Sequence, residues 1–157
     1  MVRAVAALHG FPGVSGVVNF EQSSPNATTN ISYEINATTP NSLRGFHIHQ
    51  YGITDGCLSS GSHYNPFNQT HGLSNSTRRH MGDLGNVRVD SGGYAKGYML
   101  DDLVKLYGET SVLGRTIVIH EGTDDLGRSN SSECKTTGNA GGRAACGMIA
   151  YTELKQI

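Results

Sequence analysis

Several features of common protein classes are missing from this sequence. It contains no tryptophan, and aromatic residues make up only 7% of the chain. No apolar run approaches the roughly 20 residues of a transmembrane helix, and the formal net charge of -1 provides no general attraction to polyanions. The composition therefore predicts a protein that binds neither a membrane nor a nucleic acid.

Cysteine is scarce as well. The chain has three cysteines, Cys57, Cys134 and Cys146. No two of them stand at the short spacing of a thiolate zinc site, which argues against a cysteine-rich metal cage. The odd number also leaves one thiol outside any disulfide within the chain.

A secretory signal is the third missing feature. The apolar run over residues 1–8 contains an arginine and ends at His9 and Gly10, which is too brief for the hydrophobic region of such a signal. A cytoplasmic protein is therefore expected. Secretion is the alternative, because six Asn-X-Ser/Thr sequons would suit a glycosylated protein, although Asn, Ser and Thr are simply abundant here. The sequons begin at Asn26, Asn30, Asn36, Asn68, Asn75 and Asn130.

Glycine and short alternating runs dominate what is present. The 21 glycines among 157 residues indicate many turns, and the length fits a single domain over residues 1–157. Alternating or β-branched runs without a helical period predict an all-β antiparallel sandwich or barrel. Such runs recur throughout the chain, for example over residues 14–20, 30–37, 43–49, 86–89 and 116–120. Two segments between them, about 51–85 and about 121–142, are too long for hairpin turns and are predicted to carry function.

Two of the predicted strands end in histidine. Because alternate residues of a strand share a face, His47 and His49 project from one side of their strand. His120 ends the run 116–120, where it can complete the same site. An all-histidine site without a thiolate suits copper.

The first long segment carries a second group of metal ligands. His63, His71, His80 and Asp83 fall within about twenty residues of glycine-rich chain, which can curl around one ion. A histidine-rich site closed by one carboxylate suits zinc. Of the seven histidines only His9 lies outside the two groups, and it is expected to be an ordinary structural residue.

Six segments that contain these residues resemble the copper,zinc superoxide dismutase family in sequence, order and spacing. The likeness runs from the first predicted strand to near the end of the chain. The segments are GFHIH (45–49), GSHYNP (61–66), RHMGDLGN (79–86), GRTIVIHE (114–121), DDLG (124–127) and TGNAGGRAACG (137–147).

The resemblance implies a fold and two metal sites. The fold would be an eight-stranded antiparallel Greek-key β-barrel of the sandwich architecture. His63 would bridge copper and zinc as an imidazolate. Copper would be held by His47, His49, His63 and His120, and zinc by His63, His71, His80 and Asp83.

The implied activity is the dismutation of superoxide to oxygen and hydrogen peroxide. His63 and Arg143 would be the catalytic residues, with the guanidinium of Arg143 holding an anion beside copper. Asp124 would accept hydrogen bonds from His47 and His71 and fix the orientation of both rings.

The resemblance further implies a disulfide between Cys57 and Cys146, with Cys134 left as a free thiol. A copper chaperone is expected as a partner on the same ground. The alternative function is a copper-binding or delivery module with a dismutase-like domain. Such a module would be expected to lack some copper ligands and the anion-holding arginine, whereas this chain keeps His120 and Arg143.

The chain departs from the family pattern near the expected active site. Many members carry lysines at two places that are occupied here by Gly122 and Thr136. Either the local positive potential is weaker, or Lys135 and Arg128 substitute for the missing lysines in attracting an anion.

A homodimer is expected, with changes at its contact surface. Tyr51 replaces the usual phenylalanine, and Tyr151 stands where a smaller aliphatic residue is common. An apolar two-fold patch is still predicted. Its members would be Gly52, Leu113, Gly114 and Ile149.

Overall fold

The computed structural model describes residues 1–153, so the last four residues of the predicted domain, 154–157, lie outside it. Within this range the chain forms nine β-strands, one short 3-10 helix and no α-helix. No helix of the described part has the length and apolarity needed to cross a membrane. The strands are β1 (Val2–Gly10), β2 (Ser15–Gln22), β3 (Thr29–Asn36), β4 (Ser42–His49), β5 (Asp83–Val89), β6 (Tyr94–Asp101), β7 (Thr116–His120), β8 (Arg143–Met148) and β9 (Ala150–Tyr151), and the 3-10 helix is Cys57–Ser60.

Eight strands form one antiparallel series in the order β5-β4-β7-β8-β1-β2-β3-β6, and the two-residue β9 pairs with β1 beside it. β3 and β4 follow each other in the chain but lie far apart in this order, since β3 pairs with β6 whereas β4 pairs with β5 and β7. That connection is of the Greek-key type. The end strands β5 and β6 adjoin, so the sheet is a nearly closed barrel and the predicted fold is confirmed.

The barrel interior is filled by alternate residues of strands such as β1 and β2. Ala4, Ala6 and Leu8 of β1 and Val18 and Phe20 of β2 are buried, while the residues between them are partly or fully exposed. β4 and β7 differ, because they are buried on both faces over nearly their whole length. Their second face lies beneath the loops 50–82 and 121–142, and the functional histidines occupy this covered face.

The alternating and β-branched runs singled out in the sequence do not include β1, β6 or β8. β1 and β8 are rich in alanine and glycine, which carry little strand signal. Their small residues have a structural reason: a Cβ added at Gly10 would lie 2.0 Å from the carbonyl oxygen of Ala144, and one at Gly147 would lie 2.2 Å from that of Ala7. The two strands therefore approach too closely for side chains at these points. The first long loop also ends earlier than predicted, because Asp83 already begins β5.

Two leucine substitutions test the position of the core. Leu8→Ala is expected to lower the free energy of unfolding by about 2–5 kcal/mol, because it leaves a cavity inside the barrel. Leu100→Ala, at a side chain that is 65% exposed, is expected to change it by less than about 0.5 kcal/mol. Denaturant unfolding of the metal-free, disulfide-bonded protein measures both. Equal losses in the two variants would contradict this placement of the core.

Candidate metal centre

β4 and β7 supply three of the functional histidines. The strands pair antiparallel, with His47 opposite Val118. The pairing of β7 with β8 shifts register between Ile119 and His120, and such an irregularity can re-aim a side chain. As a result Nε2 of His120 lies 3.3 Å from Nε2 of His49.

His63 joins these histidines from the loop 50–82, where it forms an isolated β-bridge with His49. One nitrogen from each of the four rings lies within 4.8 Å of the others, and all four residues are buried. The structure thus brings together the four residues predicted to bind copper. We call His47, His49, His63 and His120 the four-histidine cluster.

A second group surrounds the carboxylate of Asp83. Its Oδ1 lies 2.9 Å from Nδ1 of His63, 2.9 Å from Nδ1 of His71 and 3.1 Å from Nδ1 of His80. Its Oδ2 accepts hydrogen bonds from the backbone N–H groups of Gly72 and His80 at 3.1 and 2.8 Å, which hold the loop around it. We call the four predicted zinc ligands, His63, His71, His80 and Asp83, the histidine–aspartate cluster.

His63 belongs to both clusters through different atoms. Its Nδ1 faces Asp83, whereas its Nε2 is buried without a hydrogen-bond partner among the described residues. The ring of His63 also lies 4.1 Å from the ring of His47, centroid to centroid. One imidazole therefore separates two adjacent sets of metal-donor atoms, as the bridging prediction requires.

Asp124 links the two clusters by contacting ring nitrogens that face away from them. Its Oδ2 lies 2.7 Å from Nε2 of His47, and its Oδ1 lies 2.7 Å from Nε2 of His71. Since a carboxylate accepts, both Nε2 atoms carry the proton and the Nδ1 atoms are left to face the clusters. Gly138 packs directly against this contact: a Cβ there would lie 2.1 Å from Oδ1 of Asp124 and 2.4 Å from Nε2 of His71.

Backbone carbonyls orient two further rings. Nδ1 of His49 donates to the carbonyl of Gly61 at 2.8 Å, and Nδ1 of His120 donates to the carbonyl of Gly141 at 3.1 Å. Each bond leaves Nε2 of the same ring unprotonated and directed at the four-histidine cluster. The carbonyls come from the two long loops, so the loops set the orientation of strand-borne ligands.

The four-histidine cluster is built to be uncharged. Burial lowers the pKa of His47 well below its usual value, and burial together with the neighbouring His63 lowers that of His49 far as well. Burial lowers the pKa of His120 to about 4, although its hydrogen bond to Gly141 opposes the change. Neutral imidazoles are the form that binds a metal ion.

The histidine–aspartate cluster has the opposite electrostatic character. Burial disfavours the charged forms here too, but the hydrogen bonds of Asp83 with His63 and His80 and its close contact with His71 prevail and lower the pKa of Asp83. His71 lies between Asp83 and Asp124, and although burial lowers its pKa, its hydrogen bond to Asp124 and its close contact with Asp83 outweigh burial and raise that pKa to about 9. Without a metal this site is therefore an ion pair, and a cation at Nδ1 of His71 has to displace a proton.

Unpartnered buried atoms show that the two clusters fit metal ions. Nδ1 of His47, Nε2 of His63 and Nδ1 of His71 have no hydrogen bond to any described residue. Nδ1 of His71 is close to Asp83, but the two atoms are not aligned for a hydrogen bond. Leaving such atoms without a partner is costly, and a cation in each cluster would satisfy them. Four imidazoles suit copper, and three imidazoles with one carboxylate suit zinc.

Arg143 lies at the start of β8 beside the four-histidine cluster. It lines a cavity of about 400 Å³ together with His49, His63 and His120. Its Nη1 donates to the carbonyl of Cys57 at 2.8 Å, which holds the guanidinium at the cavity wall. The structure thus places the predicted anion-holding group next to the predicted copper ligands.

The predicted disulfide is confirmed. Cys57 and Cys146 are joined across 89 residues and connect the 3-10 helix to β8. Cys134 is a buried free thiol, as expected. Because Cys57 also offers its carbonyl to Arg143, the disulfide fixes the segment that positions this side chain.

Comparison with known proteins decides the family. A family model described as copper/zinc superoxide dismutase matches residues 14–149. The chain belongs to this family. The Cu-Zn superoxide dismutases of Candida glabrata and Saccharomyces cerevisiae are each 56% identical to it over 153 residues, covering 97% of this chain and 99% of each relative. Superoxide dismutase [Cu-Zn] 1 of Debaryomyces hansenii is 55% identical over 154 residues, covering 98% of this chain and all of the relative.

Membership in the copper/zinc superoxide dismutase family identifies the metals that the two clusters bind. Copper and zinc are the cofactors, and the enzymatic class is that of an oxidoreductase acting on superoxide. The donor atoms described above fit both ions.

Sequence reasoning missed two residues that support the ligands. Asn86 clamps Asp124 by accepting from its backbone N–H at 2.8 Å and donating to its carbonyl at 3.0 Å. Nε of the buried Arg44 donates to the backbone carbonyl of His120 at 2.7 Å. The family motif already contained Asn86, but only the folded chain shows contacts across 38 and 76 residues.

The two cations considered as substitutes for missing lysines lie at the edge of the site. Lys135 lines a cavity of about 540 Å³ that also borders His63 and His80. Its Nζ donates to the carbonyl of Gly127 at 2.6 Å, which holds the charge at the rim. Arg128 is exposed on the same loop.

Asp124→Asn tests the link between the clusters. An amide has one acceptor oxygen where the carboxylate has two, so His47 or His71 would lose its partner. We expect zinc affinity to fall by about 10–100-fold, as measured by competition with a chromophoric chelator. Asp125→Asn is the matched control, because among residues 1–153 the side chain of Asp125 bonds only Gly127 and Ser129, both within its own loop. An equal loss in the control would contradict the role given to Asp124.

Proposed function

We propose that this protein is a superoxide dismutase that converts two superoxide anions and two protons to oxygen and hydrogen peroxide. The main support for the proposal is that the two ring nitrogens of His63 face two different clusters of metal-donor atoms. In this proposal copper is held by His47, His49, His63 and His120, and zinc by His63, His71, His80 and Asp83.

Copper would supply reversible one-electron chemistry, and zinc would hold the second nitrogen of His63 in place. The chain's own work is to bind the substrate, deliver a proton and keep the ligands rigid. Nε2 of His63 is the natural proton-holding atom, since it has no hydrogen-bond partner among the described residues and His63 lines the cavity. A proton held there would be delivered beside the cavity that Arg143 also lines.

Arg143 supplies substrate binding. Its guanidinium stays protonated at all relevant pH values, and a planar fork of donors suits a small anion. The cavity that it shares with His63 and His120 gives the anion access to the copper ligands. Asp124 and the carbonyls of Gly61 and Gly141 hold the rings in place, so that little rearrangement is needed during the reaction.

A copper-delivery module is the second candidate, and it is not favoured. Such a module has no need for an anion-binding fork at the cavity wall or for a second metal cluster sharing a histidine. Arg143 and His63 supply both features. The geometry therefore supports superoxide dismutation better than copper delivery.

His120→Ala tests the proposal. Removal of one copper ligand is expected to lower superoxide consumption at least about a hundredfold, while zinc content, measured by elemental analysis, stays near that of the wild type. His9→Ala is the control, because His9 is an exposed histidine on β1. Full activity of His120→Ala, or a wild-type protein that binds no copper, would refute the proposal.

We also propose that two copies of the chain form a dimer through the face around Met148. Tyr51 and Met148 are 56% and 47% exposed, and such neighbouring apolar side chains favour association. Gly52 lies against Met148 and the backbone carbonyl of Gly114, and a side chain at Gly114 would project into open space, so the two glycines leave the surface flat enough for a partner. The sequence had placed Ile149 in this patch, but its side chain is fully buried in its own core.

Met148→Glu is expected to weaken this dimer. A carboxylate taken out of water at the centre of an apolar contact has no partner, so the dissociation constant should rise at least about tenfold. Sedimentation equilibrium measures it. Leu100→Glu introduces the same charge at an exposed site on β6 and should leave the assembly unchanged. A wild-type protein that is monomeric at all concentrations would contradict the dimer.

Cytoplasmic location is a further proposal. Asn30, one of the sequon residues, lies in the paired strand β3 with its side-chain oxygen buried. This favours a compositional origin of the sequons over glycosylation. A mass decrease of the native protein after treatment with an N-glycosidase would contradict the proposal. A copper-donating chaperone and a single domain over residues 1–157 are proposed from the family resemblance and from length.

A further inference from the structure

Ser60 is fully buried and contacts Arg143, which lines the cavity next to the four-histidine cluster. It is the last residue of the 3-10 helix. Its hydroxyl donates to the carbonyl of Cys57 at 2.6 Å, and Nη1 of Arg143 donates to its Oγ at 2.9 Å. Together with the 2.8 Å bond from the same Nη1 to Cys57, the three groups form a closed ring of hydrogen bonds.

The direction of these bonds fixes the guanidinium. A serine hydroxyl has one proton and two lone pairs. Because that proton is used toward Cys57, a lone pair of Oγ is available to Nη1 of Arg143. No hydrogen bond from Nε or Nη2 of Arg143 to a described residue is found. Nη1 of the guanidinium is thus held by the protein, and the N–H groups of Nε and Nη2 are left to bind an anion.

We propose that Ser60 is a positioning residue for Arg143, which it holds in the orientation that binds the anionic substrate. The hydroxyl acts through the guanidinium and touches neither the substrate nor the metal ligands. The inference rests on the proposed function for the role of Arg143, but the hydrogen-bond ring itself does not depend on any metal.

The neighbouring Ser59 separates this role from general support of the loop. Its Oγ donates to the carbonyl of Gly56 at 2.7 Å and accepts from the backbone N–H groups of Thr54 and Asp55 at 2.9 and 3.1 Å. These bonds stabilise the same turn without contacting Arg143. Ser59→Ala is therefore a matched control for Ser60→Ala.

The first experiment uses the metal-free, disulfide-bonded protein. Phenylglyoxal modifies free guanidinium groups, and peptide mass spectrometry gives the rate at Arg143 separately. We expect Ser60→Ala to raise this rate about fivefold, the ratio that corresponds to one typical hydrogen bond. Ser59→Ala should react at the wild-type rate. An unchanged rate in Ser60→Ala, or an equal increase in both variants, would overturn the proposal.

A second pair of variants covers the outcome in which Ser60→Ala does not fold. Ser60→Thr and Ser60→Val have nearly the same shape and differ in the hydroxyl, so packing effects cancel between them. Ser60→Thr should restore slow modification of Arg143, and Ser60→Val should react several-fold faster. Equal rates in this pair would also overturn the proposal.

The third experiment uses the protein loaded with copper and zinc and titrates it with azide, a small anion, followed by the visible absorption of copper. Ser60→Ala should raise the azide dissociation constant several-fold and raise KM for superoxide more than it lowers kcat, with the spectrum of the anion-free protein unchanged. An azide affinity equal to that of the wild type would overturn the proposal. A loaded wild type without dismutase activity would refute the proposed function, while the phenylglyoxal rates would still report the contact between Ser60 and Arg143.

Discussion

The arrangement depends on one imidazole that is shared between two environments of different charge. His63 presents Nδ1 to the carboxylate of Asp83 and Nε2 to three uncharged histidines. Burial makes the protonated ring unfavourable, and the bridge therefore exists only if cations replace the missing protons. Folding of the two loops over β4 creates this demand, because it removes water from both sides of the ring.

Rigidity around the shared ring comes from long-range contacts rather than from regular structure. Asp124, in the loop 121–142, bonds a histidine of β4 and a histidine of the loop 50–82 with its two oxygens. Asn86 of β5 holds the backbone of Asp124 in turn. The disulfide does the same for the substrate side, where it fixes Cys57 and through it Arg143. The two long loops are thus held to the barrel at the points where the metal ligands and Arg143 must be accurately positioned.

The sequence predicted the parts of the molecule that have a local signature. Alternation and β-branching located β2, β3, β4, β5 and β7, and histidine spacing located both clusters, since strand parity and a glycine-rich loop determine which rings can meet. β1 and β8 escaped because their alanines and glycines reflect close backbone contact, which no single-strand pattern reveals. Ser60 and Asn86 escaped because their partners lie 83 and 38 residues away and the geometry of the contact is set only by folding.

Gly138 shows how such contacts limit the sequence. The residue has no side chain and is not a metal ligand, yet a single added methyl group at this position would overlap both Asp124 and His71. Its backbone φ of 69° also lies in the left-handed region that glycine adopts without strain. A search for inactivating changes that inspected only ligand positions would overlook it, although alanine at this site would disturb zinc binding almost as directly as the loss of a histidine.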